Sequence, residues 1–423
     1  MANEFTAQVF QNEYLPSGTG EVHAIMTVTA KEATRPATQG RLFGIICDCS
    51  GSMEGQKIVA ARTAMARLIQ ILPPDCGFFV IAGSDTARLV YPLALATDEH
   101  KTRAIAAVRQ IAARGGTLIS VWLREALRQF HSAAAPLRQA MLLTDGQNEK
   151  DNAPYLEQAL RECEGVFQCD CRGVGTDWDV AQLRAIAMKL MGTTDIIPTP
   201  EHMEGDFRAI LAKAMSKSVS DVFVRLWTPQ GARVKFLKQV SPEIVDLTNK
   251  ARQPKPQVQE FPTGAWGQDE SRDFHFCIEV PPGTVGDEVL AGRASLVCNV
   301  NGTENKFAEG RILAIWTDDE AKSTKINQVV AHYTGQADLA QSIQEGLEAR
   351  NRGDVEKATV LLGKAVRIAH ESGNEGTAKL LRDVVDIDDA ATGTVRLKRA
   401  VSKEAEMMLD TRSTKTARIV RTS

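Results

Sequence analysis

From Arg41 to about Ser218 the chain alternates short apolar runs with amphipathic stretches of helical length. The runs RLFGIICD, GFFVIAG, RLVYPL, QAMLLTD, FQCDCRGVG and TDIIPTP have the length and composition of strands. Between the first two, KIVAARTAMARLIQIL sets Ile58, Ala61, Met65, Leu68, Ile69 and Leu72 at steps of three and four, which is one face of a helix. DEHKTRAIAAVRQIAA, SVWLREALRQFH, APYLEQALRECE, WDVAQLRAIAMKL and GDFRAILAKAM follow the same rule. Strand and helix in alternation predict an α/β unit over 41–219, a doubly wound and mostly parallel sheet with helices on both faces. Ligands bind such sheets where strands run into loops.

After Ser220 the period changes. DVFVRLWTP, ARVKFLKQV, SRDFHFCIEV, ASLVCNV and KFAEGRILAIWT are strand-like and separated by Gly, Pro and Asn turns, which predicts an antiparallel β-sandwich over 220–318. FTAQVFQNEYLPSG and EVHAIMTVTA also read as strands. Residues 1–40 are expected to join the sandwich, with the α/β unit inserted between its strands; a separate N-terminal hairpin is the plainer alternative. Over 319–391 the pattern is helical, and EGLEARNRGDVEKATVLLGKAVRIA resembles a tetratricopeptide hairpin turning at Gly353 and Asp354. One such unit cannot stack into a solenoid, so a small C-terminal helical bundle is expected. Residues 392–423 lose apolar periodicity past Leu409, and from Thr411 they carry Arg412, Lys415, Arg418 and Arg421 without an acid. A flexible, basic, threonine-rich tail is expected there.

Composition narrows the class. At 423 residues, 43% hydrophobic and 24% charged, the chain has the make-up of a soluble protein of several domains. A net charge of −3 argues against general attraction to nucleic acid or to an anionic membrane. No run approaches the roughly 18 apolar residues of a membrane helix, and the N-terminus lacks the basic start and apolar run of a secretory signal, so a cytoplasmic location is expected. The eight cysteines include no CxxC pair and read as reduced thiols.

The candidate chemistry sits at three strand ends: Asp48, Ser50 and Ser52 in CDCSGSMEG, Thr117 in ARGGTLIS, and Asp145 in LLTDGQ. Hydroxyls and carboxylates are ligands for hard cations. Alternate residues of an extended segment point to one side, so Asp48, Ser50 and Ser52 can converge on one ion while Cys49, Gly51 and Met53 face elsewhere. Helix caps and turns would explain each residue singly but not their coincidence. DCSGSM is not GxSxG, LLGKAV is not a P-loop, and no HExxH is present, so an enzyme is not expected; a metal-dependent hydrolase using the same residues is the remaining catalytic alternative. Asp177, Trp178 and Asp179 in GTDWD read as a helix cap. Trp266 in PTGAWGQDE reads as an exposed loop anchor or a partner contact.

These residues resemble the von Willebrand factor A family with its metal-ion-dependent adhesion site, whose pattern is DxSxS, a later threonine, and an aspartate in a TDG-like turn. All five positions match, at Asp48, Ser50, Ser52, Thr117 and Asp145. FQNEYLPSGTGEVHAIMTV, RLWTPQGARVKFLKQV, ESRDFHFCIEVP, WTDDEAKSTKINQVVAHYTGQADLAQ and DTRSTKTARI extend the likeness to a bacterial, largely actinobacterial, group with this whole-chain layout. The resemblance implies a Rossmann-like fold and an ion, Mg²⁺ with Mn²⁺ or Ca²⁺ as alternatives, to which a partner protein supplies an Asp or Glu. It implies a cytoplasmic scaffold or adaptor, and such proteins accompany Ser/Thr kinases, PP2C-type phosphatases and forkhead-associated domain proteins. The tail adds a second reading, recognition controlled by phosphorylation of Thr411, Thr414 or Thr416.

Overall fold

The computed structural model describes residues 5–31, 40–148, 151, 153–300 and 303–419. Its chain forms two compact units, one spanning Arg35–Ser218 and one joining the N-terminal segment to everything from Val219 onward. The N-terminal segment supplies β1 (Phe5–Gln11), β2 (Tyr14–Pro16) and β3 (Glu21–Ala30).

The unit at Arg35–Ser218 runs β4 (Arg41–Asp48), α1 (Gln56–Gln70), β5 (Cys76–Gly83), β6 (Ala87–Leu95), α2 (Asp98–Val108) and α3 (Ile119–His131). It continues with β7 (Leu137–Thr144), α4 (Ala153–Cys163), β8 (Gln168–Val174), α5 (Val180–Lys189), β9 (Thr194–Ile197) and α6 (Met203–Ser216). The sheet order is β6-β5-β4-β7-β8-β9, parallel throughout except for the antiparallel edge strand β6. Strands covered on both faces must be apolar along their length, and β5 is buried at every position. Phe78, Val80 and Ala82 join the core with Ile58, Met65 and Leu68 of α1 and Phe207 of α6. Phe79, pointing the other way, meets Phe130 of α3 edge-on at 4.9 Å. Trp122 of α3 lies flush on Gly83, where a Cβ would stand 2.3 Å from the indole, and its Nε1 donates to the Ser84 carbonyl at 2.7 Å. That contact fixes the start of α3 against the end of β5. In GTDWD, Trp178 covers Gly173 and donates to the Gly175 carbonyl at 2.9 Å, and Asp179 caps α5 by accepting from the Gln182 N–H.

The other unit adds β10 (Lys217–Trp227), β11 (Arg233–Ser241), β12 (Val245–Asp246), β13 (Arg252–Lys255), β14 (Val258–Gly267), β15 (Ser271–Glu279), β16 (Glu288–Val300) and β17 (Thr303–Thr317). Two sheets result, in the orders β1-β3-β15-β11-β12 and β13-β14-β10-β16-β17-β2. The N-terminal strands are therefore woven into both, β3 pairing with β15 and β2 running parallel to β17. Trp266 is not an exposed loop residue but lies on β14, fully buried. Its ring meets Phe5 edge-on at 5.5 Å and lies 6.4 Å from that of Phe274, both on the opposite sheet, and its Nε1 donates to Thr263 Oγ1 at 2.8 Å. The Gly and Gln around it signalled a loop, and the cross-sheet partners that override this signal are distant in sequence.

After the sandwich come helices α7 (Glu320–Ser323), α8 (Gln328–Asn351), α9 (Val355–Glu371) and α10 (Glu375–Val384). Gly353 at φ 78° makes the turn between α8 and α9, and Asp354 caps α9 by accepting from the Lys357 N–H at 3.0 Å. Tyr333 of α8 packs with Ile25 and Val240 of the sandwich and donates to Asp273 Oδ2 at 2.7 Å. A hairpin of β18 (Val385–Asp389) and β19 (Thr394–Leu397) follows, and then helix α11 (Lys403–Arg412). The expected flexible tail is thus folded as far as it is described. Val395 and Leu409 enter the helical core, the Thr414 carbonyl accepts from the Ile244 N–H at 2.8 Å, and the Thr416 N–H donates to the Pro242 carbonyl at 3.1 Å. Few apolar anchors plus main-chain bonding order the segment, and neither leaves a helical period. Arg421 lies outside the described residues. Among the described residues no helix is long and apolar enough to cross a membrane.

Trp266→Ala removes a fully buried indole between the sheets and is expected to cost about 3–5 kcal/mol, read as a lower urea midpoint with little change in slope.

Candidate functional site

Asp48 closes β4, Asp145 follows β7 directly, and Thr117 stands just before α3, so three loops meet at the C-terminal edge of the parallel sheet. They are laced by main-chain bonds. The Gly51 N–H donates to the Gly115 carbonyl at 2.9 Å, the Arg114 N–H to the Cys49 carbonyl at 2.7 Å, and the Cys49 N–H to the Gly83 carbonyl at 2.7 Å. Gly115 sits at φ 80°, a conformation glycine adopts freely, and the next N–H reaches Asp85 Oδ2 at 2.9 Å. From the Asp145 loop, Asn148 Oδ1 and Asp151 Oδ2 accept from the N–H groups of Ile119 and Ser120 at 3.0 and 2.7 Å, pinning the first turn of α3.

All five sequence-derived residues come together. Asp48 and Asp145 are fully buried, Ser50 and Thr117 are nearly so, and Ser52 is exposed at the mouth. Ser50 Oγ lies 2.9 Å from Ser52 Oγ, which donates to Asp145 Oδ1 at 2.7 Å. A Cβ placed on Gly146 would stand 3.2 Å from both Ser52 Oγ and Thr117 Oγ1 and 4.0 Å from Ser50 Oγ, so the three hydroxyls surround one small space that glycine leaves open. Adjacent ligands of an octahedral ion with bonds of about 2.0–2.1 Å stand roughly 2.9 Å apart, close to the Ser50–Ser52 and Ser52–Asp145 separations. The donor set fits a small hard cation.

Three contributors were not foreseen. Thr144 donates to Asp48 Oδ2 at 2.6 Å, while the Ser50 N–H donates to Oδ1 at 2.7 Å, so each oxygen of that carboxylate is held. Lys57, in the first turn of α1, places Nζ 2.5 Å from Asp145 Oδ2. Asp85 supports the threonine loop. A lysine nine residues after the aspartate in DCSGSMEGQK is the signal that was available for Lys57. Burial pushes the Cys47 thiol well above the usual thiol range and that of Cys49 up to about 11.

Thr411, Thr414 and Thr416 do not present free hydroxyls as a group. Thr411 is 1% exposed, and Thr414 and Thr416 donate to Glu243 Oε1 at 3.0 Å and the Val240 carbonyl at 2.7 Å. The accessibility that a disordered tail would give these threonines is contradicted outright at Thr411, which α11 buries.

Against this geometry the comparisons are direct. The sequence profile of the von Willebrand factor type A domain matches residues 44–196, and that of the von Willebrand factor type A C-terminal domain matches 367–413. A solved von Willebrand factor type A structure from Catenulispora acidiphila is 44% identical, covers 99% of this chain and 98% of its own, and superposes with a TM-score of 0.93. The chain belongs to the von Willebrand factor type A family. The ArnB paralog VWA2 of Sulfolobus acidocaldarius shares the fold at 15% identity, with a TM-score of 0.59 over 96% of this chain and 97% of that one. An uncharacterized Synechocystis protein is 30% identical over 213 residues, 48% of this chain, and the match spans 49% of that relative's length. Domains of this family commonly mediate protein–protein interaction.

Burial, offset by the bonds from Thr144 and Ser50 and reinforced by Asp145, raises the Asp48 carboxyl to about 6 from 3.8. The folded chain without metal then holds a proton that the unfolded chain releases. The resulting stability, about 3 kcal/mol, is present in full below the unfolded value and is lost as pH rises through about 6. In EDTA, melting of the wild-type chain should fall between pH 4 and 6.5 relative to Asp48→Asn, which carries no titrating group there; parallel profiles would refute the shift.

Proposed function

We propose that this chain is a metal-dependent interaction module, in which Asp48, Ser50, Ser52, Thr117 and Asp145 hold a divalent ion and a partner's Asp or Glu completes the ion's shell. The observation that carries this reading is the close set of Ser50, Ser52 and Asp145 oxygens, 2.9 and 2.7 Å apart, at a mouth where Ser52 is exposed. Mg²⁺ suits those short separations, Mn²⁺ is the near alternative, and the longer bonds of Ca²⁺ require the loops to spread. The ion supplies the attraction for the carboxylate. The chain's own residues orient it: Thr144 and the Ser50 N–H fix Asp48, and Ser52 fixes one oxygen of Asp145.

Lys57 is the second cation of the site. Its ammonium neutralises the buried Asp145, and a divalent ion must share or displace it. This favours an ion that binds when partner and metal act together, a property suited to an adaptor. The phosphothreonine reading is weaker, since Thr414 and Thr416 would have to leave their bonds before a kinase could reach them. A scaffold working beside a Ser/Thr kinase, a PP2C-type phosphatase or a forkhead-associated domain protein remains part of the proposal through the metal site and not through the tail.

Pull-down from a lysate of the source cells should recover a partner in Mg²⁺, lose it in EDTA and regain it on adding Mg²⁺, with Asp48→Ala and Asp145→Ala recovering none. Lys57→Met should raise Mg²⁺ affinity roughly 10-fold in calorimetry, because a charge-assisted bond of about 1.5 kcal/mol no longer competes. Capture indifferent to EDTA and to both aspartate variants would refute the proposal.

A further inference from the structure

The sandwich carries a second group of ligating side chains, of a different chemical kind. Strands β3 and β15 are antiparallel, with His23 opposite Cys277, Glu21 opposite Glu279 and Ile25 opposite His275. Because side chains alternate across a strand, Glu21, His23, His275 and Cys277 share one face of the sheet. The opposite face, with Phe274, is the one turned toward Trp266 and the second sheet. One ligand atom from each of Glu21, His23 and Cys277 lies within 4.8 Å of the other two. His23 Nδ1 is 3.2 Å from His275 Nε2, so at most one of these facing nitrogens carries a proton.

The surroundings grade from dry to wet. Cys277 is 1% and His275 5% exposed, and Phe236 walls the pair edge-on, 5.0 Å from the His275 ring. Glu21 is exposed at the rim, where its Oε1 accepts from Lys235 at 2.5 Å. A thiol, an imidazole and a carboxylate form the borderline-soft set that zinc takes, and a hard ion such as Mg²⁺ does not seek it. Tetrahedral zinc ligands stand about 3.3–3.6 Å apart, so ligation draws these atoms closer than the 4.8 Å that now bounds them. With Nδ1 of His23 bonded to His275, Nε2 is the nitrogen left to ligate. A ring held by its other nitrogen is the usual state of a metal-bound histidine.

We propose that Glu21, His23 and Cys277 form a zinc-class site on the outer face of the sandwich, with His275 as the residue that orients His23. Binding converts the Cys277 S–H to a metal-bound thiolate and releases its proton to solvent. Three protein ligands leave a fourth position for water or an incoming donor. The site owes nothing to the loops around Asp48, which belong to the other unit.

Cobalt tests it, because Co²⁺ takes zinc sites and gives a thiolate-to-metal charge-transfer band. The full chain, stripped with chelator and held in excess Mg²⁺, should develop that band at one equivalent of Co²⁺ and lose it on adding Zn²⁺. Cys277→Ser and His23→Gln should abolish the band, and Asp48→Ala should keep it. His275→Gln should keep the band while weakening cobalt affinity roughly 10- to 100-fold. Circular dichroism of each variant checks folding, and the wild-type titration stands without any variant. No band in the wild-type chain, a band surviving Cys277→Ser, or a band lost in Asp48→Ala would overturn the assignment.

Discussion

Two carboxylates taken wholly out of water at the end of a parallel sheet are the constraint around which the α/β unit is arranged. An uncompensated buried charge costs several kcal/mol, so Asp48 and Asp145 have to be answered by something nearby. The answers come from every adjoining element: the Thr144 hydroxyl, the Ser50 N–H, the Ser52 hydroxyl and the Lys57 ammonium. Even so Asp48 stays hard to ionise, and a divalent ion placed among the hydroxyls would relieve both carboxylates at once.

That arrangement requires the loops to be rigid, and the fold supplies rigidity through close backbone approach. Trp122 lying on Gly83 sets the start of α3, the Asp145 loop caps that helix, and the strand of main-chain bonds from Cys49 to Gly115 ties the first two loops together. The sandwich uses the same device differently, with Trp266 as the buried link between sheets and Asp273 as a buried acceptor for Thr27 and Tyr333. The C-terminal segment closes on its edge through Thr414 and Thr416.

Much of this is legible in the sequence alone. Fully apolar strands and three-four helix spacing are local signals, and they marked the elements of the α/β unit and the strand ends where Asp48, Ser50, Ser52, Thr117 and Asp145 converge. The five oxygen-bearing residues could be read because loop chemistry of that kind has few other reasons to recur at three strand ends. Thr144 could not, since its role depends on which carboxylate it meets in space, and Lys57 was signalled only by its spacing from Asp48. Trp266 was misread because its partners, Phe5 and Phe274, come from other strands. The tail was misread because a chain ordered by a few anchors such as Leu409 and by edge hydrogen bonds leaves no period. His23 and Cys277 are 254 positions apart, and only the β3–β15 register makes them neighbours.

The central claim is that the space among Asp48, Ser50, Ser52, Thr117 and Asp145 is a cation site. Crystals of the chain grown with Mn²⁺ and measured with anomalous scattering test it most directly. The account predicts a single strong anomalous peak among those oxygens, with the Lys57 ammonium moved off Asp145 Oδ2. Density that leaves Lys57 on Asp145 with no peak between the three loops at saturating Mn²⁺ would contradict it.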